Sequence, residues 1–484
     1  MHISKIKLHN FKGFKGDHEI IFDKGVNFFV GDNNCGKSSV FEAIDFIRSK
    51  KERNEVIIKT ELETDAFVSV EIEFIGDDLK SLVEIDALKK YQSYLIDTNG
   101  QKSLRVMRSS EETKIQQDKK EKTLSIGNVR VFNPTASQFE NPTGIDGTIT
   151  ALFDAQFVWA DTNSGDVSDF SKTKISGKII NAITKDFITS DTWKGFQKSH
   201  KETFVEGEKS LAATLKPVEK KIQEILTEQY GESEVRFSFS LPEIESFFKT
   251  GNIALSENGI ETKSSENGTG MQRALALSLI QVYADISSTD SDGVSKPILF
   301  FIDEPETFLH PRAQNKLIDA LEKISEKSQI IIITHSPYLL KKYKKETHSI
   351  NVFKKETGLN KITAGIELDI FGKSSPSWGE INYRAFGVLS VEFHNELYGF
   401  VQAKAITEDV KNYFEDDFEK YLVGKTLLQD KQYIRLKKDG TTENQNRTLP
   451  TFIRNIIHHP ENTSNCFADA DLKNSIEMLI PLLV

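Results

Sequence analysis

The sequence has few cysteines, no long apolar run and no excess of positive charge. Only Cys35 and Cys466 occur among 484 residues, which excludes a disulfide framework and indicates a reducing compartment. No stretch approaches the roughly 20 apolar residues that a membrane-spanning helix needs, and residues 1–8 lack the apolar core of a secretory signal. The net charge of −10 argues against a polycationic nucleic-acid binder. These absences predict a cytoplasmic protein that does not associate with membranes.

A glycine-rich motif follows an apolar run near the start of the chain. Residues 31–38 read Gly-Asp-Asn-Asn-Cys-Gly-Lys-Ser, the full G-x-x-x-x-G-K-S pattern of a phosphate-binding loop (P-loop). The apolar run 26–30 predicts a strand before it, and the residues from Ser39 onward predict a helix after it. Strand, loop and helix are therefore in the order that the motif requires, and the sequence predicts a site for ATP and Mg²⁺.

The residue types in this loop suit phosphate chemistry. Glycines allow backbone N–H groups to surround a phosphate, and the helix N-terminus adds the positive end of its dipole. We expect Lys37 to reach the β- and γ-phosphates and Ser38 to offer its hydroxyl to Mg²⁺. The loop residues predicted to bind the nucleotide are Gly31, Asn33, Asn34, Gly36, Lys37, Ser38 and Ser39.

Two further apolar runs end in residues that suit phosphoryl transfer. The run 298–302 ends in Asp303 and Glu304, and the run 330–333 ends in Thr334 and His335. Continuous apolar runs separated by a helical stretch predict parallel strands, whose carboxyl ends meet at one edge of a sheet. We expect Asp303 to coordinate Mg²⁺, Glu304 to polarise the attacking water and His335 to approach the γ-phosphate.

A second glycine-rich segment precedes a predicted helix at 274–280. Residues 264–273 read Ser-Ser-Glu-Asn-Gly-Thr-Gly-Met-Gln-Arg. Small residues at a helix N-terminus can form an anion-binding nest, but a simple helix cap has the same pattern. The residues alone leave both interpretations open.

The order of these motifs resembles the ABC-type ATPase heads of the SMC, RecF and OLD families. The resemblance implies an α/β ABC-type P-loop ATPase head with an inserted helical arm and a helical C-terminal domain. It also implies that Asn267, Gly268 and Gly270 bind the γ-phosphate of ATP held by another protomer, so that the heads form a homo-oligomer. The chain departs from the family because Leu-Ser-Gly-Gly-Gln is absent. Gln138 and Gln156 are both candidates for the family's Q-loop glutamine.

The patterns along the chain predict four segments. Residues 105–125 are strongly charged and predict an exposed hairpin or loop, and 210–229 have the apolar spacing of a helix. Strand patterns follow at 233–241 and 253–255, and helical patterns follow Pro376, with a polar interruption around 437–447. The predicted segments are an N-terminal head lobe at 1–104, an inserted loop and helical arm at 105–231, a signature and Walker B lobe at 232–370, and a helical interaction domain at 371–484.

Several short sequence segments favour one branch of this group. Residues 268–274 and 303–311 look like OLD-type and defence-associated ATPases. Residues 392–399 and 449–462 look like the helical tail of the PtuA family, the ATPase subunits of Septu-type and retron-associated anti-phage defence systems. This resemblance implies that ATP-dependent oligomerisation regulates a separate HNH-type nuclease subunit, with nucleic acid bound through the complex.

Other functions remain open on the sequence. A RecF- or SMC-like DNA-repair ATPase would bind DNA itself. Basic clusters such as 341–345 are candidates for nucleic-acid contact, although most such runs are solvated faces. Arg454 and His459 match the Arg-x4-His spacing of HEPN ribonucleases, although a structural role is favoured. A TOPRIM nuclease is disfavoured because Asp469-Ala470-Asp471 opens a helical pattern. His394 and Glu396 are interpreted as core or interface residues rather than metal ligands.

Overall fold

The computed structural model describes residues 1–98, 100–117, 120–159, 175–241, 246–247, 253–257, 259–287, 297–307, 309–408, 414–437 and 439–483. Two compact units divide the chain: unit 1 is Met1–Ala160 with Lys296–Val484, and unit 2 is Asp161–Ser295. The four segments expected from the sequence divide the chain at other points and stay a prediction. Among the described helices, none has the length and apolar character needed to cross a membrane.

The strands and helices have the following bounds. The strands are β1 (His2–His9), β2 (Asp17–Ile21), β3 (Val26–Gly31), β4 (Ser69–Ile75), β5 (Ile96–Thr98), β6 (Gln101–Ser109), β7 (Thr113–Gln117), β8 (Lys120–Leu124), β9 (Arg130–Asn133), β10 (Gln138–Glu140), β11 (Asp154–Val158), β12 (Ala254–Glu257), β13 (Ile260–Lys263), β14 (Ile298–Asp303), β15 (Gln329–Ile333), β16 (Ser349–Glu356), β17 (Leu359–Thr363), β18 (Lys431–Leu436) and β19 (Thr442–Arg447). The helices are α1 (Lys37–Arg48), α2 (Arg53–Val56), α3 (Leu79–Leu82), α4 (Ile149–Leu152), α5 (Ile175–Thr189), α6 (Asp191–Lys201), α7 (Leu211–Tyr230), α8 (Thr269–Ser287), α9 (Pro311–Ser325), α10 (Trp378–Phe386), α11 (Val391–Glu408), α12 (Glu415–Gly424), α13 (Leu449–His458) and α14 (Asp469–Leu479).

A mostly parallel sheet forms the centre of unit 1. Its strand order is β11-β14-β15-β3-β16-β17, and β11, β14, β15, β3 and β16 are parallel while β17 is antiparallel to β16. Every residue of β14 and β15 is buried, which explains their uninterrupted apolar sequences. The two predicted parallel strands are confirmed. Because β3, β14 and β15 are adjacent and parallel, the segments that follow them lie at one edge of the sheet.

A second sheet in unit 1 is antiparallel, with the order β10-β9-β6-β4-β1-β2 and β5 paired to β6. Buried and half-buried residues alternate along β4, as expected for a sheet with one face on a core. Gln329 joins the two sheets, since its Oε1 accepts from Ile3 N at 2.8 Å and its Nε2 donates to Ile3 O at 2.7 Å. The charged segment 105–125 forms the end of β6 and the hairpin β7–β8.

Unit 2 contains α5 to α8 and the hairpin β12–β13. The predicted helix 210–229 is confirmed as α7, whose first turn is capped by Ser210 Oγ accepting from Ala213 N at 3.1 Å. No described side chain of α7 is buried. The predicted strand at 233–241 is wrong: this segment has no assigned strand, because an alternating pattern forms a strand only where a partner strand is available.

The C-terminal part of unit 1 has its own apolar core. Helices α10 to α14 surround buried side chains that include Phe393, Leu397, Ile453 and Ile476. His394 lies in this core with its Nε2 2.8 Å from Ser475 Oγ, and burial lowers its pKa to about 4. Glu396 accepts from Ser377 Oγ, so both residues have structural contacts. The helical prediction needs one correction, because the polar segment around 437–447 belongs to the hairpin β18–β19.

Candidate active site

The P-loop has the backbone that its glycines predict. Gly31, Asn34 and Gly36 have φ values of 127°, 57° and 92°, a region that glycine adopts without steric cost. A Cβ on Gly31 would overlap the carbonyl oxygen of Phe353 on β16. The glycine therefore allows the loop to leave β3 close to its neighbouring strand before α1 begins at Lys37.

The Lys37 side chain is held over the loop by backbone carbonyl groups of the loop. Its Nζ donates to Gly31 O at 3.0 Å and to Asp32 O at 2.6 Å, and the residue is only 6% exposed. Cys35 Sγ also donates to Asp32 O, at 2.7 Å. Burial raises the pKa of the Cys35 thiol, so this residue stays protonated and fills space under the loop.

Ser38 and Asp303 come together from separate elements. Ser38 lies in the first turn of α1 and its Oγ donates to Asp303 Oδ2 at 3.2 Å. Asp303 ends β14 and is 7% exposed. A hydroxyl and a carboxylate are oxygen donors of the kind that Mg²⁺ prefers, so this pair fits the predicted metal site.

Glu304 lies beside His335 at the same sheet edge. Its backbone has φ 44°, an uncommon conformation for a residue with a side chain and one that clusters at functional sites. Glu304 N donates to Ile333 O at 2.9 Å, and Glu304 Oε1 lies 3.6 Å from His335 Nε2. The backbone bond to β15 therefore fixes the point from which the Glu304 side chain extends.

The electrostatic surroundings of His335 favour its neutral form. Burial lowers the pKa of His335, and the positive charge of Lys37 lowers it further, while Glu304 and Asp32 oppose these effects. A neutral imidazole can donate a hydrogen bond from one ring nitrogen and accept one at the other. The single N–H of neutral His335 can therefore donate to one acceptor at a time, either a phosphate oxygen or the Glu304 carboxylate.

The structure brings together the predicted residues of the P-loop, Asp303, Glu304 and His335. Asn33 and Asn34 are exposed in the loop and Ser39 is half-buried.

The glycine-rich segment lies in unit 2, where Gly268 O accepts from Met271 N at 2.9 Å and Gln272 N at 3.2 Å. Gly268 is thus the N-cap of α8. Asn267 Nδ2 donates to Lys263 O at 2.8 Å.

The two glutamine candidates lie in different sheets. Gln138 is on β10 of the antiparallel sheet, where its Nε2 donates to Glu140 Oε1 at 3.0 Å. Gln156 is on β11, pairs in register with Phe300 of β14 and is 4% exposed. The position of Gln156 next to the strand that carries Asp303 favours it for the Q-loop role, which stays a prediction.

The residues of the alternative functions have structural partners. Arg454 Nη1 lies 3.5 Å from Glu415 Oε2, and His459 Nδ1 lies 3.1 Å from Glu461 Oε1. Asp471 Oδ2 accepts from Ala468 N at 3.1 Å, which caps α14. Among the residues that the structure describes, no group of three or more His, Cys, Asp or Glu side chains could hold a metal ion.

Several residues support the site without belonging to its sequence motifs. Glu306 accepts hydrogen bonds from Thr334 and His335, and Asn360 and Phe14 lie against Gly36. Glu306 follows Glu304 by two residues, so a second acid beside the first was an available signal. Asn360 and Phe14 had none, because their contacts depend on tertiary structure.

Gly36→Ala is expected to weaken ATP binding by about tenfold or more, since a left-handed backbone costs a residue with a Cβ roughly 1–2 kcal/mol. The added Cβ would also overlap Asn360 Nδ2 and lie 2.7 Å from Phe14 Cζ. Gly440→Ala is a matched control, because Gly440 has φ 84° and no described atom within 4 Å of a Cβ. Equal ATP affinity of the two variants in calorimetry would contradict this role of Gly36.

Taken together, the P-loop between β3 and α1, the Ser38–Asp303 pair and the acidic end of β14 define a P-loop ATPase. A profile described as "AAA ATPase domain" matches residues 1–340. The chain therefore belongs to the AAA ATPase domain family, and it is an ATPase that binds nucleotide. The predicted α/β P-loop ATPase fold is confirmed.

The chain is also similar in sequence to individual proteins. The chain is 29% identical to the "Old nuclease" of Escherichia phage P2 over 391 residues, which cover 77% of this chain and 63% of that protein. It is 25% identical to the "OLD nuclease" of Thermus scotoductus over 34% of this chain and 30% of that protein. The chain thus spans less than two-thirds of the length of either relative. A solved "SMC head domain from Thermotoga maritima" superposes with a TM-score of 0.38 at 15% identity, over 76% of this chain and all of that one. The two sequence relatives support the OLD-like part of the predicted group of ATPases.

Proposed function

We propose that the edge of the parallel sheet binds ATP with Mg²⁺ and hydrolyses it. The single observation that carries this proposal is the convergence of Lys37, Ser38, Asp303, Glu304 and His335 from three adjacent strand ends. Lys37 would neutralise charge on the β- and γ-phosphates, and Ser38 and Asp303 would hold Mg²⁺. Glu304 would orient the attacking water, and neutral His335 would hydrogen-bond the γ-phosphate region. When bound, Mg²⁺ would neutralise charge on the phosphate oxygens.

The second part of the proposal is that ATP closes an interface between two heads. Asn267, Gly268 and Gly270 would contact the γ-phosphate held by the other protomer, through the N-terminus of the 19-residue helix α8. Two features of Gly268 support this role. Its N-cap position leaves the first N–H groups of α8 available for an anion, and no described atom lies within 4 Å of where its Cβ would be. No contact among the described residues therefore explains a glycine at position 268, whereas close approach of a phosphate from another protomer would.

The third part of the proposal is that the assembly state controls a separate nuclease subunit through the C-terminal helices. A short helix, Pro337–Lys342, begins two residues after His335. The ring of Tyr338 in it lies 4.9 Å from the ring of Trp378, the first residue of α10. Lys341 Nζ lies 4.9 Å from both ring centroids. This contact supports transmission of the nucleotide state from the edge of the parallel sheet to the C-terminal helices. The resemblance to defence ATPases supports an HNH-type partner in an anti-phage system.

To test this part, the open reading frames beside this chain are searched for a small HNH-type nuclease, and that protein is purified together with the chain; a neighbourhood without one would count against this part. We expect the two proteins to form a complex whose DNA cleavage changes at least about tenfold between nucleotide-free and ATP-bound states, as a two-state switch requires. Trp378→Ala should keep ATP hydrolysis and reduce this change. Leu428→Ala is the control, since Leu428 is an apolar residue 75% exposed in the same region. A nuclease that does not bind, or that ignores ATP, would contradict the proposed role.

The structure gives less support to DNA binding by the chain alone. The basic cluster 341–345 is largely neutralised, because Lys342 pairs with Asp319, Lys344 lies 3.2 Å from Glu322 and Lys345 lies 2.7 Å from Glu367. A DNA-repair ATPase predicts salt-sensitive DNA affinity from the purified chain. A HEPN ribonuclease predicts RNA cleavage that Arg454→Ala abolishes, whereas the Arg454–Glu415 pair favours a structural role. Nuclease assays on the purified chain separate these alternatives.

A further inference from the structure

Glu306 is a buried acid that contacts the end of the neighbouring strand. The chain reverses direction after Glu304 in a turn closed by Thr307 N donating to Glu304 O at 3.1 Å. This turn directs Glu306 towards the end of β15. There, Glu306 Oε1 accepts from Thr334 Oγ1 and from His335 N, both at 2.8 Å. Glu306 therefore holds the backbone of His335 from the segment that also carries Glu304.

The contact belongs to a hydrogen-bond network between three elements. Thr334 Oγ1 accepts from Ser336 N at 2.9 Å, and Ser336 Oγ donates to Gln314 Oε1 on α9. Gln314 Nε2 donates to Leu309 O at 3.0 Å, which returns the network to the segment after β14. All of the side chains in this network are buried. Such a network fixes the position of the strand end more firmly than isolated contacts.

Burial of the Glu306 carboxyl group is unfavourable for the stability of the fold. Glu306 is 8% exposed, and its Oε2 has no hydrogen-bond partner among the described residues. Burial raises the pKa of Glu306, although the bonds from His335 and Thr334 lower it. A half-satisfied buried carboxylate destabilises a fold relative to a well-packed apolar residue. Packing therefore does not explain the acid, whereas fixing the backbone at His335 does.

We propose that Glu306 is a positioning residue for ATP hydrolysis, which acts by holding His335 in place beside Glu304. The inference rests on the proposed roles of Glu304 and His335. The relevant separation is the 3.6 Å between Glu304 Oε1 and His335 Nε2. Glu306 fixes His335 at its backbone, and Glu304 is fixed at its own backbone by β15. A small displacement of either anchor would change this separation and reduce the rate.

The first test compares three proteins. Glu306→Ala should lower kcat by about 10- to 100-fold and leave KM for ATP within about twofold, because the P-loop is untouched. Glu306→Gln should recover kcat to within about threefold of the wild type, since an amide oxygen can accept both hydrogen bonds. A kcat of Glu306→Gln as low as that of Glu306→Ala would overturn the inference. Thermal unfolding of each variant checks that the fold is intact.

The second test is a double-mutant cycle with His335→Ala. If Glu306 acts through His335, adding Glu306→Ala to His335→Ala should change kcat by less than about twofold. If Glu306→Ala lowers kcat in the His335→Ala background as much as it does in the wild type, the inference is overturned. If Glu306→Ala does not fold, Thr334→Val replaces it in the cycle, with the same criterion. A wild-type kcat for His335→Ala alone would instead show that the proposed site is wrong, which distinguishes the two failures.

Discussion

Glu304→Gln is expected to lower kcat for ATP hydrolysis by about 100-fold or more, because an amide cannot polarise the attacking water as a carboxylate does. ATP affinity should stay within about threefold, since Lys37, Ser38 and Asp303 are unchanged. The variant should therefore accumulate the ATP-bound state. We expect it to persist as an oligomer in ATP, whereas the wild type returns to its smaller form as ATP is consumed. Phosphate release and light scattering measure the two effects.

A control for this variant is Glu326→Gln. Glu326 is exposed and follows α9, before β15, at the opposite edge of the parallel sheet. Glu326→Gln removes one negative charge from unit 1, as Glu304→Gln does, without touching the site. If Glu304→Gln hydrolyses ATP at the rate of Glu326→Gln and forms no persistent oligomer, the assignment of Glu304 is wrong.

Lys37→Ala is expected to weaken ATP binding by about 100-fold or more, since a charge-assisted contact to phosphate in a buried site is lost. Its Nζ donates to Gly31 O and Asp32 O, and a bound phosphate would take the place of these carbonyl acceptors. Because it is 6% exposed, its removal also changes the packing of the loop. Calorimetric titration with ATP and a thermal unfolding curve separate these two effects.

The control for Lys37 lies at the other end of the same strand. Lys24 is exposed and precedes β3, whereas Lys37 follows it. Lys24→Ala removes one positive charge from unit 1 and should keep wild-type ATP affinity. ATP binding by Lys37→Ala equal to that of Lys24→Ala would contradict a nucleotide at the P-loop.

The sequence predicted the parts of the site that are local in the chain. The P-loop and the acidic end of β14 are contiguous motifs, and the apolar runs of β14 and β15 follow from burial on both faces. The meeting of the three strand ends was also predictable, because the carboxyl ends of parallel strands lie at one edge of a sheet. The helix α7 was predictable from its spacing and its Ser210 cap.

Contacts between distant segments were not predictable. The strand pattern at 233–241 has no partner in the described structure, and the polar residues of β19 form a strand because β18 pairs with them along the hairpin. The role of Glu306 depends on a turn that directs it towards Thr334, 28 positions later in the chain. The pairing of the 341–345 lysines with carboxylates likewise comes from tertiary structure.

We propose above that a second subunit completes the ATPase site. Two inactive variants test it: Lys37→Ala, which removes the P-loop lysine, and Gly268→Asp, which places a negative charge at the N-cap of α8. Asp is a favoured N-cap residue, and no described atom lies within 4 Å of the Gly268 Cβ position. Gly268→Asp should therefore fold normally and repel only the γ-phosphate.

The decisive measurement is ATP hydrolysis by an equimolar mixture of these two variants. In a mixed dimer, the intact P-loop of one subunit faces the intact α8 of the other, so one site is complete. Random pairing predicts recovery of up to about a quarter of the wild-type rate, since half of the dimers are mixed and each has one complete site of two. No recovery from two folded, dimerising variants would contradict a site shared between subunits.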